Sequence, residues 1–252
     1  MASAGAEAVE LRPHGRAIGA EHADFDIVAG LHVRREHEGA DHMVHVVAGR
    51  AVEGEALQRF QARLFAQQFD REAPAEPMVF YKTPTSLIGP GETIIRPKGT
   101  AKLDAEGELV IIIKDRCRNV SKADAMKHVL GYTCGNDVSA RDWQKDDRNW
   151  WRAKSADTFS PAGPYMETEL DPHNVRLICR INGKDVQNES TTYLIFDIPT
   201  IIEFTSKYVT LEPGDMIYTG TPGEPGEMND GDVCEVEIEG IGTLSNPIKL
   251  ES

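Results

Sequence analysis

The sequence is short of positive charge, of paired cysteines and of long apolar runs. Its 252 residues carry 27 Lys and Arg against 41 Asp and Glu, a formal net charge of −14. No Lys/Arg-rich run appears, so the electrostatic footprint of a nucleic-acid binder is missing. The same shortage argues against a general role on anionic membranes. A small anionic substrate stays compatible, because a few local cations outweigh a distant negative background in salt. The longest apolar run, Leu109 to Ile113, is far too short to span a bilayer. The first residues hold no apolar stretch of the signal-peptide kind. The four cysteines, Cys117, Cys134, Cys179 and Cys234, form no Cys-x-x-Cys pair. They are expected to be reduced, core or near-core residues of a cytoplasmic chain. Gly89-Pro-Gly91 lacks the spacing and the Lys-Ser/Thr of a phosphate loop. There is no internal repeat.

What is present divides in two. Residues 1 to about 45 hold six of the eight histidines: His14, His22, His32, His37, His42 and His45. Their spacings match no known ligand pattern, so this segment reads as an arm or small β appendage with a solvated face, residues 42–48 forming one strand. Residues 54–69 read as an amphipathic helix, with Leu57, Phe60 and Leu64 at i, i+3 and i+7. A proline-containing stretch over 72–77 ends it. The division expected is therefore an appendage with a lid-type helix over 1–74 and a core domain over 75–252.

In the core domain strands dominate. Strands are expected over 78–81, 108–114, 175–181 and 216–218, with a hairpin turning at Asn182-Gly183. Another is expected where Val233, Val236 and Ile238 interleave with Glu235, Glu237 and Glu239. Ser121-x-x-Asp124 predicts the start of a helix running to about Leu130. Pro199 suits the first turn of a helix carrying Ile201, Ile202, Phe204 and Tyr208 on its apolar side. Many strands, few helices and Gly/Pro turns make a β-rich α+β domain.

Glu106 and Glu108 sit at the entry to the apolar run, and Asp137 follows about thirty residues later. If the run is a strand, side chains at i and i+2 share a face. Two carboxylates on one face, completed by a third, make an all-oxygen site for a hard divalent cation. Solvated strand carboxylates are the plainer alternative.

Five blocks decide how this pair is read: 80–89 (FYKTPTSLIG), 103–109 (LDAEGEL), 131–144 (GYTCGNDVSARDWQ), 154–159 with 161–164, and 211–223 (LEPGDMIYTGTPG). Together they resemble the fumarylacetoacetate hydrolase family over residues 78 to 250. The resemblance implies a mixed β-sandwich roll, a homodimer, and a Mg²⁺ or Mn²⁺ ion held by Glu106, Glu108 and Asp137. It implies that Lys154 contacts substrate and that Gln144 lies near metal and substrate. It also implies that Thr221, with Gly220 and Gly223, forms a loop offering a hydroxyl and backbone N–H groups to a substrate carboxylate. Lys82 and Arg141 are outer cations, Arg141 either touching substrate or bridging to Asp142 or Asp137. Trp143, Trp150 and Trp151 wall the pocket or pack the core, at least two of them in the core.

The family's hydrolases carry a His-Glu pair on a lid helix to activate water. By position Glu55 falls where that His would sit and Gln58 where the Glu would sit, so Glu55 is either an alternative base or a surface helix residue. The implied chemistry begins with a small 2-oxo or 1,3-dicarbonyl acid whose enolate a Lewis acid stabilises. From there C–C hydrolysis of an acylpyruvate-type substrate is ranked first. Tautomerisation (isomerisation) or decarboxylation of a related 2-oxo acid comes second. A non-catalytic ligand-binding homologue is the reading from another class.

Overall fold

In the computed structural model the residues described are 74–252, together with strand residues 8–9, 32–34 and 44–48. The helix expected over 54–69, with Glu55 and Gln58, lies outside the described residues. In chain order the strands are β1 (Ala8–Val9), β2 (His32–Arg34), β3 (Val44–Ala48), β4 (Met78–Lys82), β5 (Leu87–Ile88), β6 (Ile94–Arg96), β7 (Leu103–Ala105), β8 (Gly107–Ile113), β9 (Val129–Asn136), β10 (Ser139–Ala140), β11 (Ser160–Glu167), β12 (Arg176–Ile181), β13 (Lys184–Ser190), β14 (Met216–Tyr218), β15 (Gly226–Glu227), β16 (Val233–Ile238) and β17 (Gly242–Leu250). The α-helices are α1 (Arg141–Asp146), α2 (Trp151–Ser155) and α3 (Ile198–Tyr208).

A large mixed sheet runs β1-β2-β11-β9-β8-β14-β3-β4, with β5 pairing to β11; a second sheet runs β13-β12-β16-β17-β6, and a small one β10-β7-β15. Strands β2 and β3 precede the expected division at residue 75, and both join the large sheet: β2 on β11, β3 between β14 and β4.

β8 is central, and all seven of its residues are buried. That explains its apolar run: a strand covered on both faces has no side for polar residues. Its pleat divides the run between two cores. Leu109, Ile111 and Ile113 meet Leu177, Cys179, Val236 and Leu244 of the second sheet. Val110 and Ile112 meet Phe80, Met166, Met216 and Tyr218 on the other face. The result is a mixed β-sandwich roll, β-rich α+β.

Several expectations shift locally. Glu106 is not in a strand; it occupies the single-residue break between β7 and β8. The helix expected from Ser121 to Leu130 is one 3₁₀ turn, Ala125–His128, after which the chain enters β9. Ser121 Oγ donates to the Asp124 carboxylate (2.7 Å) rather than accepting from a backbone N–H, so no cap extends the turn. In α3 the buried residues are Ile198, Ile201, Ile202, Thr205 and Ser206, a face set by the 3.6-residue period from Ile198. Phe204 and Tyr208 lie beside that face and pack edge-on each other at 5.2 Å, with Tyr208 exposed. Asp197 caps this helix, accepting from the Thr200 N–H at 2.9 Å. In β16 the inward residues are Cys234, Val236 and Ile238, and Val233 is exposed, because period two counted back from Val236 lands on Cys234. The turn at Asn182-Gly183 has φ of 52° and 75°, the double-positive hairpin that Asn-Gly favours. All four cysteines are free and buried.

Candidate metal and substrate site

Two neighbouring strands of the large sheet bring the carboxylates together. Glu108 is the second residue of β8, Glu106 lies in the break just before that strand, and Asp137 directly follows β9. The Asp137 N–H donates to the Glu106 carbonyl at 2.9 Å, and the Glu106 N–H donates to Asn136 Oδ1 at 3.0 Å. Opposite Glu108 in β9 lies Gly135. A Cβ there would strike Val110 and the Tyr218 ring, so only glycine lets the neighbouring strands keep this spacing. One oxygen from each of Glu106, Glu108 and Asp137 lies within 4.8 Å of the others. The three residues are 7%, 2% and 1% exposed.

Buried carboxylates at this distance demand positive charge. α2 supplies it through Lys154, whose Nζ donates to Glu106 Oε2, Asp137 Oδ2 and Ser139 Oγ, each at 2.5 Å. β4 supplies Lys82, whose Nζ donates to Asp137 Oδ1 at 2.5 Å and to the Lys154 carbonyl. α1 supplies Arg141, which donates from Nη2 to Glu106 Oε1 (2.6 Å) and from Nε to Asp104 Oδ2 (2.8 Å). Among the described residues Glu108 makes no ion pair; it accepts from the Gly220 N–H at 2.6 Å.

The electrostatics follow. Burial and then the Asp137 and Glu106 carboxylates push the Glu108 carboxyl well above its ordinary range. Burial also acts to raise Glu106, but Lys154 and Arg141 outweigh it and hold that carboxyl well below. Burial lowers Lys82, which Asp137 only partly opposes. For Lys154 burial is outweighed by Asp137 and Glu106, and the ammonium is held more tightly than usual. The cluster is thus built around positive charge. Lys154 bonds two of the three acids, and the third, Glu108, is bonded by no cation among the described residues. Hard oxygen donors in this arrangement can hold a divalent cation.

Arg141 bridges neither Asp142 nor Asp137. Its partners are Asp104 and Glu106, and Asp142 instead accepts from the Ala101 and Lys102 N–H groups. Gln144 is half-buried and accepts from Arg141 Nη1 at 2.9 Å. The Thr221 hydroxyl donates to the Gly107 carbonyl at 2.8 Å. A hydroxyl has one proton, so Thr221 has none left for a substrate carboxylate in this arrangement. The Gly220 N–H is likewise committed to Glu108. Gly220 and Gly223 hold φ of 95° and 76°, which fits glycine on both sides of Thr221-Pro222. Trp150 packs edge-on Phe80 at 5.7 Å, Trp143 lies half-buried under Arg152, and Trp151 is exposed.

Sequence reasoning passed over Asp104, Ser139 and Gln187. Ser139 lies inside the 131–144 block, and Asp104 is two residues from Glu106 on β7, so both had a local signal. Gln187 had none. A second set of ligand-type atoms, on Asp115, Cys117 and His128, lies past the far end of β8. There His128 pairs with Asp115, and burial together with nearby carboxylates pushes the Cys117 thiol up to about 11.

The chain matches the family model described as fumarylacetoacetate (FAA) hydrolase C-terminal over residues 45–249; it belongs to that family. It is 42% identical over 187 residues to the oxaloacetate tautomerase fahd2, mitochondrial, of Xenopus laevis, covering 69% of this chain and 59% of that protein. The crystal structure of 5-carboxymethyl-2-hydroxymuconate delta-isomerase from Mycobacterium smegmatis superposes with TM-score 0.73 at 41% identity, covering 83% of this chain and 79% of that one. The fumarylacetoacetate hydrolase of Exiguobacterium antarcticum gives TM-score 0.73 at 37% identity, covering 84% and 76%. No helix among the described residues is long and apolar enough to cross a membrane.

Proposed function

We propose that this chain is a divalent-metal-dependent enzyme that interconverts the keto and enol forms of a small 2-oxo dicarboxylic acid of the oxaloacetate kind. The observation that carries the proposal is the buried trio of Glu106, Glu108 and Asp137 gathered about the Lys154 ammonium. Glu106, Glu108 and Asp137 would hold a Mg²⁺ or Mn²⁺ ion, which would supply Lewis-acid polarisation of a substrate carbonyl. Lys154 is the compact, buried cation beside the trio; its three N–H bonds go to Glu106, Asp137 and Ser139, and an ion taking over the two carboxylates would free it to stabilise negative charge developing on the enol oxygen. Lys82 holds Asp137 from its other oxygen, Arg141 holds Glu106, and the Gly220 N–H orients Glu108. The acids are almost shut off from solvent, which favours return of a proton over attack by water. The tautomerase and isomerase relatives support the same choice.

The test follows the enol absorbance of oxaloacetate with protein loaded with Mg²⁺. Enol loss is expected to accelerate, to stop on chelation with EDTA, and to return with Mg²⁺ or Mn²⁺. Undiminished turnover in metal-stripped protein would overturn the metal requirement. The likeness to the Exiguobacterium hydrolase favours a second reading, C–C hydrolysis of an acylpyruvate. Cleavage of acylpyruvates without any effect on oxaloacetate would put that reading first, and release of CO₂ would put decarboxylation first.

A further inference from the structure

We infer that Gln187 is a positioning residue for this site: reaching in from the second sheet, it closes a hydrogen-bonded ring that fixes the backbone between Glu106 and Glu108 and ties it to the 220–223 loop. The inference rests on the reading of Glu106, Glu108 and Asp137 as a cation site.

Gln187 lies on β13, opposite Cys179 of β12, and is 3% exposed. A buried amide is costly unless its polar atoms are matched. Among the described residues its partners all belong to the site. Oε1 accepts from the Gly107 N–H at 3.0 Å. Nε2 donates one hydrogen to Thr221 Oγ1 at 2.8 Å and the other to the Pro222 carbonyl at 2.6 Å. The Thr221 hydroxyl, having accepted from Gln187, donates to the Gly107 carbonyl. The ring then closes through Gly107, Gln187 and Thr221 with each group in its only consistent role. A backbone N–H needs the amide oxygen and a carbonyl needs the amide nitrogen, which fixes the amide's orientation.

The position of Gly107 gives the ring its consequence. Its N–H belongs to the peptide that follows Glu106, and its carbonyl to the peptide that precedes Glu108. Peptides are planar, so holding both groups holds the plane after one glutamate and the plane before the other. The angle between the two carboxylate side chains is then set from outside the large sheet. The close approach is built in. A Cβ on Gly107 would lie 3.2 Å from Leu177, 3.3 Å from Cys179 and 3.3 Å from Gln187 Oε1. The loop is tied twice, by Gly220 to Glu108 and by Thr221-Pro222 to Gln187. Loop position and acid geometry therefore move together.

The experiment uses Gln187→Leu, Thr221→Val, Thr221→Ser and the Gln187→Leu/Thr221→Val double variant. Mn²⁺ affinity is read from the free-ion spin-resonance signal, and amide exchange at Gly107 and Gly220 is followed without any ion. Gln187→Leu and Thr221→Val are each expected to weaken Mn²⁺ binding by about tenfold or more and to speed exchange at Gly107. The double variant should be no weaker than the worse single one, because one ring breaks once. Thr221→Ser keeps the hydroxyl and should behave as the unmodified chain.

A folded Gln187→Leu with unmodified Mn²⁺ affinity would overturn the inference, as would single effects that multiply in the double variant. If Gln187→Leu does not fold, Thr221→Val against Thr221→Ser decides on the same readouts. Ring effects in a chain inert to every 2-oxo acid would sink the proposed function and leave the inference standing. An unmodified chain that binds no Mn²⁺ would remove both.

Discussion

Glu106-Gly-Glu108 and Glu235-Val-Glu237-Ile-Glu239 present the same pattern in sequence, acids alternating with small or apolar residues. They meet opposite fates. Glu106 and Glu108 are buried and faced by Lys154, Arg141 and a backbone N–H. On β16, Glu235 and Glu237 lie half-buried on the face away from the core; Glu237 pairs with Arg180 at 2.6 Å while its side chain stays 41% exposed. The i, i+2 spacing is common to both, although Glu106 sits in the break just ahead of β8. The difference lies in what covers the face. β8 is covered on both sides, so its acids had to be matched inside the protein. β16 buries one side, so its acids keep water. Alternation therefore reports strand geometry, and the layer packed against it decides the chemistry.

The comparison breaks most visibly at Asp137, which bonds both buried lysines. Asp137→Ala leaves Lys82 and Lys154 short of their shared partner in a site closed to water. Removing one member of a buried charge cluster typically costs about 3–5 kcal/mol. Denaturant unfolding of the metal-free protein should show a loss of that order, and Mn²⁺ binding should vanish. A loss no larger than that at Glu237 would mean the two acidic patches are energetically alike.

Lys154 sharpens the contrast from the other sign. Lys154→Met strips Glu106 and Asp137 of their common cation, so the metal-free protein should again lose several kcal/mol, about as for Asp137. The response to a divalent ion should differ. With one positive charge gone, the trio should bind Mg²⁺ more tightly, and the rise in melting temperature on adding Mg²⁺ should exceed that of the unmodified chain. Turnover should nevertheless fall by about 10²–10³-fold, the scale of losing one group that stabilises transition-state charge. Equal Mg²⁺ responses in the two proteins would show that Lys154 does not compensate the trio.

The same contrast explains what was legible in the sequence. Glu106, Glu108 and Asp137 could be read because strand period and a dense local motif pointed to one place, and Lys154 followed from its own block. The partners of Arg141 could not. Asp104 comes from β7 and Glu106 from the break that follows it, and the tempting choice, Asp142, was adjacent only along the chain. Thr221 is expected from the resemblance to offer its hydroxyl to a substrate carboxylate, but its proton goes to the Gly107 carbonyl, and nothing near it announces the Gln187 amide, which donates to the same hydroxyl from a hairpin in the other sheet. The helix expected after Ser121 failed for a related reason. Ser121 and Asp124 satisfied each other, and Val129 and Leu130 were claimed by β9. Short-range patterns survived folding where one element owned them, and were rewritten where two sheets met.

The smallest effect is expected on β16, and it tests the comparison from its quiet side. Arg180 is tied to both Asp185 (2.9 Å) and Glu237 (2.6 Å) at the surface. Glu237→Ala removes one of two exposed partners, and the guanidinium keeps the other as well as water. Exposed pairs of this kind contribute about 0.2–1 kcal/mol, and less as salt rises. Denaturant unfolding at low salt should therefore show a loss of at most about 0.5 kcal/mol, shrinking further at high salt, with Mn²⁺ binding unchanged. A larger, salt-insensitive loss would mean that Glu237 is held inside the protein after all, and that a half-buried acid on the open face of the second sheet can carry as much as one buried in the large sheet.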